Sequence, residues 1–342
     1  MSFKRMKIII YTSTYFKSPG IRYRINMMKK ALEKKFNVKI VKDEREELLR
    51  GFYHLMGPRL LKYDWSWKQM GKLIAKRIIN EKPDVVILVV DVTASAIPYL
   101  KKENLRVILS VEDLSWEWLN IKNQEKIKSI FREYAFLADL VISNSEILQK
   151  KLLKLEIESI IISIGLEKIY VSLQEKLNCL DSEISLLHAG KLQHKKEFLA
   201  FSKIAEQLAG RYNFKSYQSG KYKNLLVRRF KWIDWYNFPS SDKAVNHIKS
   251  CIIGIIIRYK AHNPARLYYH ASMLQPIIAI GDYWTNEVKK NKIGIITEPE
   301  NIDQDINIIL NNYKTYLCNI NKYAKENLLD KAYDALINFI QK

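Results

Sequence analysis

Three stretches of this sequence combine glycine, cationic side chains and an expected helix start, the ingredients of an anion site. Residues 189–197 (AGKLQHKKE) follow an apolar run. Gly190 lets a ligand approach the backbone, and Lys191 and Lys196 bring ammonium groups to a strand–loop–helix junction, with His194 and Lys195 between them. Lysine binds phosphate as a point charge, and the free N–H groups of a helix start add to it. Residues 254–280 hold a second set: Arg258 and Tyr259 end an apolar run, and Asn263-Pro264 precedes Arg266. Proline pre-sets the first turn of a helix, so Arg266 is expected in that turn, facing a cleft. Residues 12–24 (TSTYFKSPGIRYR) hold the third, with Gly20 at a loop-to-helix junction and Arg22 and Arg24 just beyond it. The plain alternative for each is a solvated basic turn.

Other constellations point away from metal and nucleophile chemistry. Cys179, Cys251 and Cys318 lie far apart, with no CxxC pair, zinc spacing or disulfide framework. The histidines have no metal spacing, although His188 ends an apolar run beside Gly190. Asp303 and Asp305 form an Asp-x-Asp pair at an expected helix start, where acids complement the dipole.

These groups need a scaffold, and the sequence describes one. Apolar runs at 7–11, 84–90, 106–111, 139–143 and 160–164 alternate with helical periodicity, as in a doubly wound parallel sheet covered on both faces. The pattern restarts after 182, with strands expected near 184–188, 214–217, 226–231, 251–257, 277–280 and 293–296. The sequence predicts an N-terminal Rossmann-like domain over 1–170, a linker over 171–182, a second such domain over 183–315, and C-terminal helices over 316–342 that pack back on the first domain. Open α/β sheets bind ligands beyond the carboxyl ends of their strands, so the useful residues belong just after strands.

Composition narrows the classes. The chain has 342 residues, 48% of them apolar and 27% charged, which excludes extended disorder. No apolar run is long enough to span a bilayer, and no signal peptide is expected. Lys and Arg total 57 against 36 acids, a net charge of +21, so an anionic partner is expected. Residues 45–77 mix Phe52, Tyr53, Trp65 and Trp67 with several Lys and Arg. That mixture suits an anionic membrane surface, and equally a pair of helices with their Trp residues turned inward.

Together, residues 82–90 (KPDVVILVV), 138–145 (ADLVISNS), Gly165-Leu166-Glu167, Gly190-Lys191-Leu192 with Lys196, and 263–279 (NPARLYYHASMLQPIIA) resemble the motifs of GT-B glycosyltransferases, most closely the retaining family 4. The resemblance covers nearly the whole chain. It implies an α/β fold of the GT-B type, two Rossmann-like domains facing across a cleft with a C-terminal helical tail. It further implies transfer of a sugar from a nucleoside diphosphate sugar to an acceptor hydroxyl of a glycan, lipid-linked or protein acceptor, with retention and without metal or cofactor. The implied donor-binding residues are Gly20, Gly190, Lys191, Lys196, Arg258, Asn263, Pro264, Arg266 and Tyr269, with Arg22 on acceptor or phosphate. Glu112 and Asp113, after the 106–111 run, are the implied catalytic acids together with Lys196, and Asp113 equally suits a helix cap. The chain departs from the family pattern at Tyr269 and Ala261, where members carry glutamates, and at Leu274, where they carry glycine. A tyrosine can stack on a nucleoside or donate one hydrogen bond, but cannot accept two ribose hydroxyls as a carboxylate does. The implied location is cytoplasmic, at most peripheral on the inner face of a membrane. A second reading keeps the fold and binds nucleotide or glycan without turnover. A third, nucleic-acid binding, rests on charge alone and has no motif behind it.

Overall fold

Short runs of β-branched residues that are apolar on both faces suit strands buried within a sheet, and they build two sheets here. The computed structural model describes residues 5–12, 19–42, 63–118, 124–181, 183–192, 194–236, 245, 248–259, 265–281 and 285–342. The chain divides into two units, Met1–Gly165 with Leu329–Lys342, and Leu166–Leu328.

In the first unit the strands are β1 (Lys7–Thr12), β2 (Asn37–Lys42), β3 (Val85–Val89), β4 (Arg106–Val111), β5 (Leu140–Ser143) and β6 (Ile160–Ile161). All pair in parallel, in the order β2-β1-β3-β4-β5-β6. Ile8, Ile9 and Ile10 and the whole of β3 are buried, as a sheet covered on both faces requires. Helices α1 (Pro19–Glu33), α2 (Asp64–Asn80), α3 (Ile97–Lys102), α4 (Ser115–Trp118), α5 (Gln124–Ala135) and α6 (Glu146–Leu153) connect them. Ile21, Ile25, Met28 and Leu32 form the buried stripe of α1 at helical spacing. Ser145 caps α6 through its side chain, accepting from Leu148 N at 3.3 Å.

The second unit opens with α7 (Leu173–Asn178), inside the stretch expected to be a linker. A capping box of Ser172 and Glu175 starts that helix. Its Lys176 is buried, donating to the carbonyls of Lys249 at 2.7 Å and Cys251 at 2.5 Å, which ties this helix into the second unit. The second sheet holds β7 (Ser185–Lys191), β8 (Asn213–Ser219), β9 (Asp234–Tyr236), β10 (Ile253–Ile257), β11 (Ile277–Ile280) and β12 (Gly294–Thr297), all parallel, in the order β12-β11-β10-β7-β8-β9. Its helices are α8 (Lys195–Leu208), α9 (Lys223–Arg229), α10 (Ala265–Ser272), α11 (Thr285–Lys290), α12 (Ile302–Asn311) and α13 (Tyr313–Glu326). The expected strand at 226–231 is thus mostly helix. Leu226 and Phe230 are buried four residues apart while Leu225 faces solvent, which is helical and not alternating patterning.

Two short helices, α14 (Leu329–Ala332) and α15 (Asp334–Gln341), return to the first unit. Arg106 donates to the carbonyls of Phe339 and Ile340, and the Tyr333 hydroxyl donates to Ile164 O at 3.2 Å.

Candidate functional site

In the second sheet β7 and β10 are neighbours, although the chain leaves β7 toward β8 on the other side. This is a topological switch point, where doubly wound sheets open a crevice at the carboxyl ends of the strands. Gly190 and Lys191 end β7, Arg258 follows β10, and Arg266 sits in the first turn of α10. The Arg266 guanidinium bridges the two strand ends, donating to Ile257 O at 2.9 Å and Lys191 O at 2.7 Å. A Cβ on Gly190 would collide with that guanidinium, so the glycine is what admits it. Among the described residues both hydrogen-bond partners of Arg266 are neutral carbonyls. Burial, and then the nearby charge of Arg258, push its pKa down to about 9, with Glu197 opposing them.

Arg258 is engaged differently. Its Nη1 lies 3.2 Å from Oε1 of the fully buried Glu197, whose other oxygen accepts from His194 N at 3.2 Å. Glu197 therefore ties the start of α8 to the end of β10. Lys191 and Lys196 are exposed, and the Lys196 ammonium lies 4.0 Å above the Tyr259 ring. The structure thus gathers Gly190, Lys191, Lys196, Arg258 and Arg266 at one edge of the second sheet. Asn263 and Pro264 lie outside the described residues, as does Ala261.

Beneath this edge are two buried imidazoles. His270, one turn beyond Arg266, presses on Gly254 of β10, where any Cβ would strike its ring. Its Nδ1 lies 2.7 Å from Gln275 Oε1, while the Gln275 amide nitrogen donates to Ile248 O and Cys251 O. The amide oxygen must accept, so Nδ1 carries the hydrogen. Burial pushes the His270 pKa down to about 4 and that of His188 well below its ordinary value. His188 Nδ1 lies 3.1 Å from Ser216 Oγ. Tyr269 is half-buried on the same helix as Arg266, packed against a cluster of Leu187, Ala189, Tyr217, Ile248, Cys251 and Met273. Burial raises its phenol pKa far above the ordinary value. Leu274, where the resembled motif has glycine, adopts a left-handed φ of 49°.

In the first unit, Gly20 is the second residue of α1 and Arg22 is exposed on its first turns. Glu112 does not meet solvent, contrary to what a base for an incoming hydroxyl requires. It is fully buried, its Oε1 2.5 Å from Arg24 Nε and 2.8 Å from the Ser110 hydroxyl. Asn144 Nδ2 reaches Glu112 Oε2 at 3.2 Å and its carbonyl at 2.9 Å. Arg24 also donates to Ile162 O at 2.8 Å. A carboxylate is forced inward here because it neutralises an arginine on the buried stripe of α1. Asp113, next to it, is half-buried. Asp303, in the Asp-x-Asp pair, is taken by Arg211 at 2.7 Å and by the Tyr212 hydroxyl at 3.1 Å at the start of α12.

Sequence reasoning left Glu197 and the Arg24–Glu112 pair unread. Glu197 had a signal, since it stands three residues past the helix-capping position, the capping-box spacing. Among the described residues no group of three or more His, Cys, Asp or Glu forms a metal site, and no helix is long and apolar enough to cross a membrane.

No protein-family profile and no curated protein sequence matches the chain. Solved structures do resemble it over nearly its whole length. A sucrose-phosphate synthase from Thermosynechococcus elongatus matches with TM-score 0.68 at 10% identity, covering 98% of each chain. A glycosyltransferase from Rickettsia africae matches with TM-score 0.67 at 14% identity, covering 99% of this chain and 98% of its own. Anabaena HepE, solved with UDP and glucose, matches with TM-score 0.66 at 11% identity, covering 98% and 99%. The fold is GT-B. At such identities the likeness establishes architecture, and the chemistry rests on the site.

Proposed function

We propose that the chain is a glycosyltransferase similar to family 4, moving a sugar from a nucleoside diphosphate sugar to an acceptor hydroxyl with retention and without a metal. The observation that carries this reading is Arg266, a half-buried guanidinium fixed by two carbonyls at a sheet switch point, with no ion pair among the described residues. A cation desolvated and oriented in this way favours an anion beside it. Lys191 and Lys196 flank it, and HepE, of like fold, holds UDP and glucose.

In the reaction the bond from the anomeric carbon to the diphosphate oxygen breaks, and that oxygen keeps the electron pair. The acceptor oxygen bonds to the carbon and gives up its proton to the Asp113 carboxylate. The developing negative charge is what Arg266, Lys191 and Lys196 neutralise, in place of a metal. Glu197 holds Arg258 and the α8 start in place. Asp113 is thus the base for the acceptor hydroxyl, and Glu112 the residue that fixes α1 through Arg24.

A thermal-shift screen of UDP-, GDP-, TDP- and ADP-sugars tests the reading, because a ligand that binds only the folded state raises its melting temperature. One donor should raise the Tm, and Lys196→Ala should abolish transfer while leaving the far-ultraviolet spectrum unchanged. Full activity in that variant defeats the assignment. Binding without transfer to any acceptor favours the non-catalytic reading, which the missing carboxylate at Tyr269 motivates.

A further inference from the structure

The helix α2 has two faces of different chemistry. Trp67, Gly71, Ile74, Ala75 and Ile78 are buried, and Trp67 stacks on Tyr134 with ring centres 5.9 Å apart. The opposite face carries Trp65, 54% exposed, and Leu73, 55% exposed, eight residues apart. Lys68, Lys72 and Lys76, all exposed, run along the same face at four-residue intervals. Tyr63, just before the helix and 40% exposed, stacks on Trp65 at 6.3 Å. Packing on the sheet accounts for the first face, and the second combines exposed aromatic and aliphatic side chains with a row of lysines.

We propose that this face of α2 docks on an anionic lipid surface. The aromatic pair Tyr63 and Trp65 suits the headgroup level, Leu73 reaches into the acyl region, and the three lysines extend their ammonium groups to lipid phosphates. The net charge of +21 supplies the long-range attraction. Asp64 at the first turn pairs with Lys68 at 2.5 Å and accepts from the Tyr134 hydroxyl at 3.1 Å, and Glu133 also lies near Lys68. Lys72 and Lys76 are therefore the stronger contributors. Single-stranded nucleic acid also takes lysines with aromatics, but it uses rings to stack on, and Leu73 offers nothing to a base. The proposal does not depend on the sugar-transfer reading.

The test is sedimentation of the full chain with phosphatidylcholine vesicles, with and without 30% phosphatidylserine, at about 0.1 and about 0.5 M salt. Binding should require phosphatidylserine and weaken at high salt. The double variant Trp65→Ser/Leu73→Ser and the double variant Lys72→Gln/Lys76→Gln should each lower the partition coefficient about tenfold or more, at about 1 kcal/mol per lysine and more for the apolar pair. Both variants change exposed side chains, and an unchanged thermal melt confirms that they fold. In vesicles of brominated lipid, Trp65→Phe should remove the quenched part of the tryptophan emission. Vesicle binding that survives both double variants overturns the proposal, because other lysines then carry it. So does an absence of binding to phosphatidylserine vesicles, or oligo(dT) binding that both double variants abolish while vesicles are ignored.

Discussion

Arg24 and Arg266 are both drawn out of water beside the carboxyl ends of sheet strands, yet their surroundings differ. Arg24 meets a carboxylate: Glu112 at 2.5 Å, itself fastened by Ser110 and Asn144. Among the described residues Arg266 donates to the carbonyls of Ile257 and Lys191, on a floor left open by Gly190, and its nearest opposite charge, Glu197, is paired with Arg258. The first charge is already answered inside the protein, so it can hold α1 but attracts nothing. The second is placed and desolvated without being answered, so it favours an anion from outside. Burial of an arginine is thus no sign of function until its counter-charge is located.

Breaking the Arg24 pair should have the largest effect. Arg24→Met strands a buried carboxylate, and urea denaturation should show a loss of about 3–5 kcal/mol. Adding Glu112→Leu to that variant should recover most of the loss, since apolar replacement of both partners is often neutral. If Arg24→Met proves mild, the pair is not what fixes α1.

Arg266→Ala should do the reverse, leaving stability within about 1–3 kcal/mol while transfer falls about 100- to 1000-fold. Single-turnover rates across donors would show it, and a variant that unfolds instead would make Arg266 structural, like Arg24.

The second unit should also be the acid-sensitive one. His270 has its pKa lowered to about 4 and His188 well below its ordinary value, against about 6.5 in the unfolded chain. Below pH 6.5 the unfolded chain binds protons that the folded one refuses, so stability, full above that pH, falls as pH drops toward 4. Each histidine contributes about 1.4 kcal/mol per pH unit. Urea midpoints at pH 7, 6 and 5 would measure the slope, and His270→Leu should roughly halve it.

The smallest effect sharpens the comparison most. Gly190→Ala keeps every charge and moves only the Arg266 guanidinium. Nucleotide affinity by calorimetry should weaken about tenfold, or about 1.4 kcal/mol. Unchanged affinity would separate Gly190 from the anion site.

Much of the architecture was legible because it follows from local chemistry. VVILV in β3 is apolar on both faces, and a covered parallel strand allows nothing else. The helix beginning at Ala265, with Arg266 in its first turn, follows from the Asn-Pro ahead of it. The run at 226–231 was misread because β-branched and apolar residues in a short stretch fit either period, and burial of Leu226 and Phe230 decides for a helix. Trp65 and Trp67 were indistinguishable in composition, and only the helix geometry turns one inward. The Arg24–Glu112 pair could not be read at all. Its members stand far apart in the chain, and nothing near either residue announces the other.

The chain leaves the first unit at Gly165 and re-enters it at Leu329, where Leu329, Ala332 and Tyr333 crowd around that same glycine. The order of synthesis and the order of completion therefore disagree. While the ribosome is still working, the second unit has all its residues before the first has its closing helices. The amino-terminal half, made earliest, must wait as an unsealed nascent body until residues beyond 328 emerge.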